Sequence, residues 1–113
     1  MAERRRPTGQ AVESAELRRL RRRIDALDRR IVELLNERAR LALEVGEAKA
    51  SDGRPVRDTE REREVLLRVT VGNGGPLPQA DLLALYRRLI AVTRRLEQEA
   101  RRRATGGRDV PHR

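Results

Sequence analysis

At 113 residues the chain has the length of one domain. It has no cysteine, which excludes disulfides and thiolate metal sites, and its one histidine, His112, leaves no imidazole cluster for a metal or a catalytic triad. The formal charge of +9 invites a nucleic-acid reading, but residues 14–100 carry only +4 of it, and a single tyrosine without Phe or Trp offers no platform for stacked bases.

No apolar run approaches the roughly 20 residues that a bilayer-crossing helix needs, and the N-terminal MAERRRPTGQ has no hydrophobic signal core. The expectation is a soluble, cytoplasmic protein with neither membrane nor nucleic acid as partner, and with no metal or cofactor. Of the 27 basic residues only Lys49 is lysine. In so strong an arginine bias a lone lysine is either chance or a site that needs a compact ammonium in place of a planar guanidinium.

Residues 1–13 and 104–113 are rich in Arg, Gly, Pro and Thr without apolar period, and read as disordered tails around a helical domain at 14–103. Ser14 is a plausible N-cap with Glu16 in the first turn. From there Leu17, Leu20, Ile24, Leu27, Ile31, Leu34, Leu41, Val45 and Ala48 recur at steps of three and four, with one slot skipped. A first helix from about Ser14 to Lys49 would be roughly 50 Å long at about 1.5 Å per residue, too long for a compact monomer with a radius of gyration of about 13 Å. A second chain must cover it.

SDGRP at 51–55 breaks this helix. Asp58 can cap a shorter second helix that buries Val65, Leu66 and Val69 and ends before the loop VGNGGPLP at 71–78. A third helix starts near Pro78 to Asp81 and runs to about Arg103, burying Leu82, Leu85, Tyr86, Leu89, Ile90, Val92 and Leu96. No stretch alternates as a strand does, so the fold class is all-α, three helices per chain with one very long, forming an intertwined homodimer.

The skipped slot of the first helix is Arg38. A guanidinium in an apolar seam is costly unless paired, so Arg38 needs a carboxylate, either from a structural ion pair or from a ligand. Lys49 lies eleven residues on, three turns along nearly the same face. On the third helix Ile90, Thr93 and Glu97 put a hydroxyl and a carboxyl on the flank of the apolar face. These intrusions on two helices could line one pocket for a small anion. Asp58, Arg61 and Glu62 open the second helix; capping and solvation alone would explain them.

The stretch LRRRIDALDRRIVELLNERARLALEVGEAK, followed by RPVRDTEREREVL, resembles the all-helical class of chorismate mutases, and the resemblance covers about residues 15–100. It implies an enzyme, an isomerase of aromatic amino acid biosynthesis that rearranges chorismate to prephenate. It also implies substrate carboxylates at Arg38 and at Arg21, the latter reaching in from the partner chain of a homodimer. Lys49 would sit against the ether oxygen and a carboxylate, Glu62 and the backbone around Asp58 against the ring hydroxyl, with Arg61 beside them as an orienting charge. Thr93 falls where the family usually has serine, and Glu97 where many members have glutamine, a second donor to the ether oxygen. The resemblance leaves open same-fold relatives that act on 4-amino-4-deoxychorismate or isochorismate; a different class of reading is a non-catalytic basic dimer that binds nucleic acid through its tails.

Overall fold

The computed structural model describes residues 12–109, with side chains as far as 106. Three helices follow one another, α1 (Ala15–Ser51), α2 (Thr59–Gly72) and α3 (Gln79–Asp109), with no strand among the described residues. The chain divides into two compact units, Met1–Asn36 and Glu37–Arg113.

In the first unit, the start of α1 is fixed by Ser14. Its hydroxyl accepts from the Leu17 N–H at 3.1 Å and its carbonyl from the Arg18 N–H, also at 3.1 Å, so two donors of the opening turn are satisfied. Glu16 stands in that turn and pairs with Arg19 at 2.6 Å, an exposed pair of small energetic weight. The expected apolar stripe is there but open to solvent, with Ile24, Leu27 and Ile31 all at least half exposed and no residue of α1 buried.

In the second unit, α1 ends at a Schellman turn. Gly53 adopts a φ of +72°, the left-handed region that glycine enters without a Cβ clash; its N–H reaches the Ala50 carbonyl at 3.1 Å, and the Arg54 N–H reaches that of Lys49 at 2.8 Å. The chain is thereby folded back on the last turn of α1, and Asp58 restarts the helix. Its carboxylate accepts from the Arg61 N–H at 3.0 Å, an N-cap worth about 1 kcal/mol. After α2, Asn73 organises the connection: its amide donates to the Leu77 carbonyl at 3.1 Å and to the Gln79 side chain at 3.0 Å.

Ile90 and Thr93 of α3 are the buried residues among those described. Val65, Leu66, Val69, Leu82, Tyr86, Leu89 and Val92 are half-buried, whereas Leu85 and Leu96, expected inside, are exposed. One chain has too little apolar surface to close over them. α3 also outruns its expected end near Arg103 and continues to Asp109. Residues 104–109 are therefore helix where a tail was expected, because the first helix-breaking proline is Pro111 and Gly106 and Gly107 weaken a helix by only about 1 kcal/mol each. The rest of the expected tails, 1–11 and 110–113, lies outside the described residues. Among the described residues no helix is long and apolar enough to cross a membrane.

Candidate active site

The second unit forms a half-open cavity of about 480 Å³ lined by residues from the C-terminal part of α1, the turn after it, α2 and α3. Seven of the eight site residues expected from the sequence line it: Arg38, Lys49, Asp58, Arg61, Glu62, Thr93 and Glu97. The eighth, Arg21, belongs to the first unit, where Glu13 pairs with it at 2.7 Å.

Lys49 sits in the last turn of α1 with its side chain 16% exposed. The Schellman turn carries Val56 back over it, and the ammonium donates to the Val56 carbonyl at 2.6 Å. A second donor faces Glu97 Oε1 at 3.3 Å, a long contact for a charged pair. Glu97 itself is 10% exposed, so it does not point to solvent beside Arg94 or Arg101. The helix interior makes room for it at Gly46: a Cβ there would lie 3.3 Å from Glu97 Cγ and 3.4 Å from Oε1. A glycine inside a helix costs about 0.5–1 kcal/mol relative to alanine, and here it lets two helices approach at the carboxyl.

Arg38 has no carboxylate partner among the described residues; its guanidinium carbon lies 6.0 Å from the centre of the Tyr86 ring, at the edge of cation–π reach. Its neighbour in the seam is aromatic, so of the two expected sources of a carboxylate the structural ion pair is absent among the described residues. Thr93 turns its hydroxyl back on its own helix, 3.1 Å from both the Leu89 and the Ile90 carbonyl, which occupies its hydrogen and leaves an oxygen lone pair toward the cavity. The Arg61 side chain pairs with Glu64 at 3.2 Å and is 55% exposed, so only part of it borders the cavity. Asp58 is engaged as the α2 cap.

Two charged lining residues escaped the sequence reading. Arg94 donates to Glu62 Oε2 at 2.5 Å, both side chains about one-fifth exposed. The signal was present, since Arg94 stands four residues after Ile90 and three before Glu97 on the same face of α3. Arg54 enters the cavity because the turn at Gly53 folds it back, and residue spacing alone carries no such information.

The lining holds five cations (Arg38, Lys49, Arg54, Arg61 and Arg94) against three acids (Asp58, Glu62 and Glu97), a net +2. Each acid has a partner: a backbone N–H for Asp58, Arg94 for Glu62 and Lys49 for Glu97. The unit is thus an all-α one whose cavity keeps guanidinium groups in surplus over its acids, a lining whose charge complements small carboxylates.

The pattern described as "Chorismate mutase type II" matches residues 20–98, and the chain belongs to that family. It is 41% identical over 88 residues to the bifunctional chorismate mutase/prephenate dehydratase of Aquifex aeolicus (strain VF5), covering 74% of this chain and 24% of that protein. It is 44% identical over 72 residues to the protein of the same name from Escherichia coli (strain K12), covering 63% and 19%. The chain thus spans a quarter or less of these curated relatives. Among solved structures, chorismate mutase (form II) from Thermus thermophilus superposes with a TM-score of 0.71 at 34% identity, covering 74% of this chain and 94% of that one.

Proposed function

We propose that this chain is a chorismate mutase that rearranges chorismate to prephenate, acting in the cytoplasm as an intertwined homodimer. The observation that carries the reading is the charge of the cavity: a net +2 over its lining, with Arg38 and Arg54 unpaired by acids among the described residues, complements a substrate dianion. The names of its relatives give that dianion an identity.

The reaction breaks an ether carbon–oxygen bond while a carbon–carbon bond forms within the same molecule. It needs neither a nucleophile nor a proton acceptor. An enzyme accelerates it by holding the flexible dianion in its reactive shape and by stabilising negative charge that grows on the ether oxygen. In this reading Arg38 and Arg21 of the partner subunit hold the carboxylates as planar forks. Lys49 donates to the ether oxygen, already oriented by the Val56 carbonyl. Glu62 accepts from the ring hydroxyl beside the opening backbone of α2, with Arg61 at its flank, and Thr93 donates its hydroxyl to a carboxylate once that hydroxyl turns from the α3 carbonyls it faces here. Glu97 supplies the second donor to the ether oxygen when it carries a proton.

The dimer is supported by the exposed stripe of α1, where Ile24 is 55%, Leu27 61% and Ile31 50% exposed. Covering the exposed half of such side chains is worth roughly 1 kcal/mol each, about half of the value for full burial, and a second copy brings the same apolar period. The test is incubation of the purified chain with chorismate, following loss of substrate and formation of prephenate, with sedimentation to read its assembly. Prephenate formation by a dimer is the expected result. Absence of turnover, alone or with other enzymes of the same pathway added, or a stable and active monomer, would overturn the corresponding part.

A further inference from the structure

Glu62 would be the group that reads the ring substituent of the substrate, yet it is not alone. Its Oε2 takes a hydrogen bond from Arg94 Nη1 at 2.5 Å, between side chains 21% and 22% exposed. Its Oε1 lies 3.8 Å from Arg57 Nη2, a mostly exposed group outside the cavity lining. The pair joins the first turn of α2 to the middle of α3.

A carboxylate has about four acceptor positions, so one bond to a guanidinium leaves room for a neutral hydroxyl donor. A cationic donor meets a different environment. An ammonium bonded to Glu62 would stand within about 5 Å of the Arg94 guanidinium, where repulsion between like charges is poorly screened in a half-buried site. The cavity offers no substitute acid: Asp58 caps α2, and Glu97 faces Lys49. Arg38, Arg54 and Lys49 add to the same positive field, while Arg61 is drawn away to Glu64.

We infer that Arg94 is a specificity-determining residue: by standing against Glu62 it makes the site accept a ring hydroxyl and reject a ring amine. The inference rests on the mutase reading above, which puts the ring substituent at Glu62. It separates two substrates of the same skeleton, chorismate and 4-amino-4-deoxychorismate, whose ring substituents are neutral and cationic respectively.

The experiment measures kcat and KM for both substrates with the wild type, Arg94→Lys and Arg94→Gln, alongside thermal melts. Wild type should prefer chorismate by about a hundredfold or more in kcat/KM, a modest value beside the roughly 10⁴–10⁵ that a site built for one polar partner can reach. Arg94→Lys should keep most of that preference. Arg94→Gln should shrink it by about tenfold or more, chiefly through a lower KM for the amine, while chorismate loses only a few-fold. A preference unmoved in Arg94→Gln, or equal losses on both substrates as for an ordinary carboxylate ligand, would overturn the inference. Should that variant fail to fold, the wild type still decides, since turning over the amine as readily as chorismate refutes the role of Arg94. Rearrangement of neither substrate by the wild type would instead bring down the mutase reading itself.

Discussion

Replacing Glu97 with glutamine keeps the shape of the side chain, removes its negative charge and supplies an amide donor at every pH. Glu97 Oε1 lies 3.3 Å from the Lys49 ammonium, so an ether oxygen bonded to that ammonium would come close to the carboxyl as well. Two unit charges about 4 Å apart interact by about 4 kcal/mol at an effective dielectric constant of about 20. An oxygen that gathers about half a charge in the transition state would then meet about 2 kcal/mol of repulsion from a carboxylate, or roughly thirtyfold in rate. A protonated Glu97 would donate to the same oxygen instead. The glutamine amide removes this repulsion and donates to the same oxygen, so Glu97→Gln should raise kcat/KM by about tenfold or more over the wild type. The assay is the disappearance of chorismate in buffers of constant ionic strength. Equal kcat/KM for wild type and Glu97→Gln would refute the reasoning and remove Glu97 from contact with the reacting oxygen.

Lys49→Ala should lower kcat by at least about a hundredfold, the scale for removing a preorganised donor to a developing oxyanion; Lys49→Arg should rescue it poorly because the guanidinium is wider and flatter, and steady-state kinetics on both variants decide. Asp58→Ala should cost about 1 kcal/mol of stability in a denaturant titration by freeing the Arg61 N–H, and Asp58→Asn should restore most of it. Arg21→Ala and Arg38→Ala homodimers should each be nearly inactive, while random subunit exchange between them should restore up to about a quarter of wild-type activity, since each mixed dimer has one intact site. No rescue after verified exchange would argue against a site shared between chains.

The helices are legible in the sequence because their signals are local. Ser14 and Asp58 cap α1 and α2 as expected, and the three-and-four spacing of the α1 stripe survives in the structure. Arg38 is legible as an intrusion in that stripe, but its surroundings are not, because the approach of Tyr86 depends on how α3 packs. Lys49 and Glu97, 48 residues apart, are each visible as departures from pattern, and only the fold brings them to 3.3 Å. Arg94 is hidden among the arginines of α3: a charge run reads as a solvated face until a half-buried acid is seen opposite one member. The end of α3 is not legible because the glycines at 106 and 107 resemble the glycine that stops α1 at Gly53, yet the helix runs through them to Asp109.

The contact that orients Lys49 spans only seven residues, from the ammonium to the Val56 carbonyl. Loops so short close cheaply, and their closure does not wait for distant parts of the chain to meet. The stretch from Gly46 to Asp58 is therefore a local cassette, in which one helix end and one turn aim a cation through contacts close in sequence. Its geometry should tolerate divergence in the rest of the helical surface, and transplanting that stretch onto the end of another helix should carry the aimed ammonium with it.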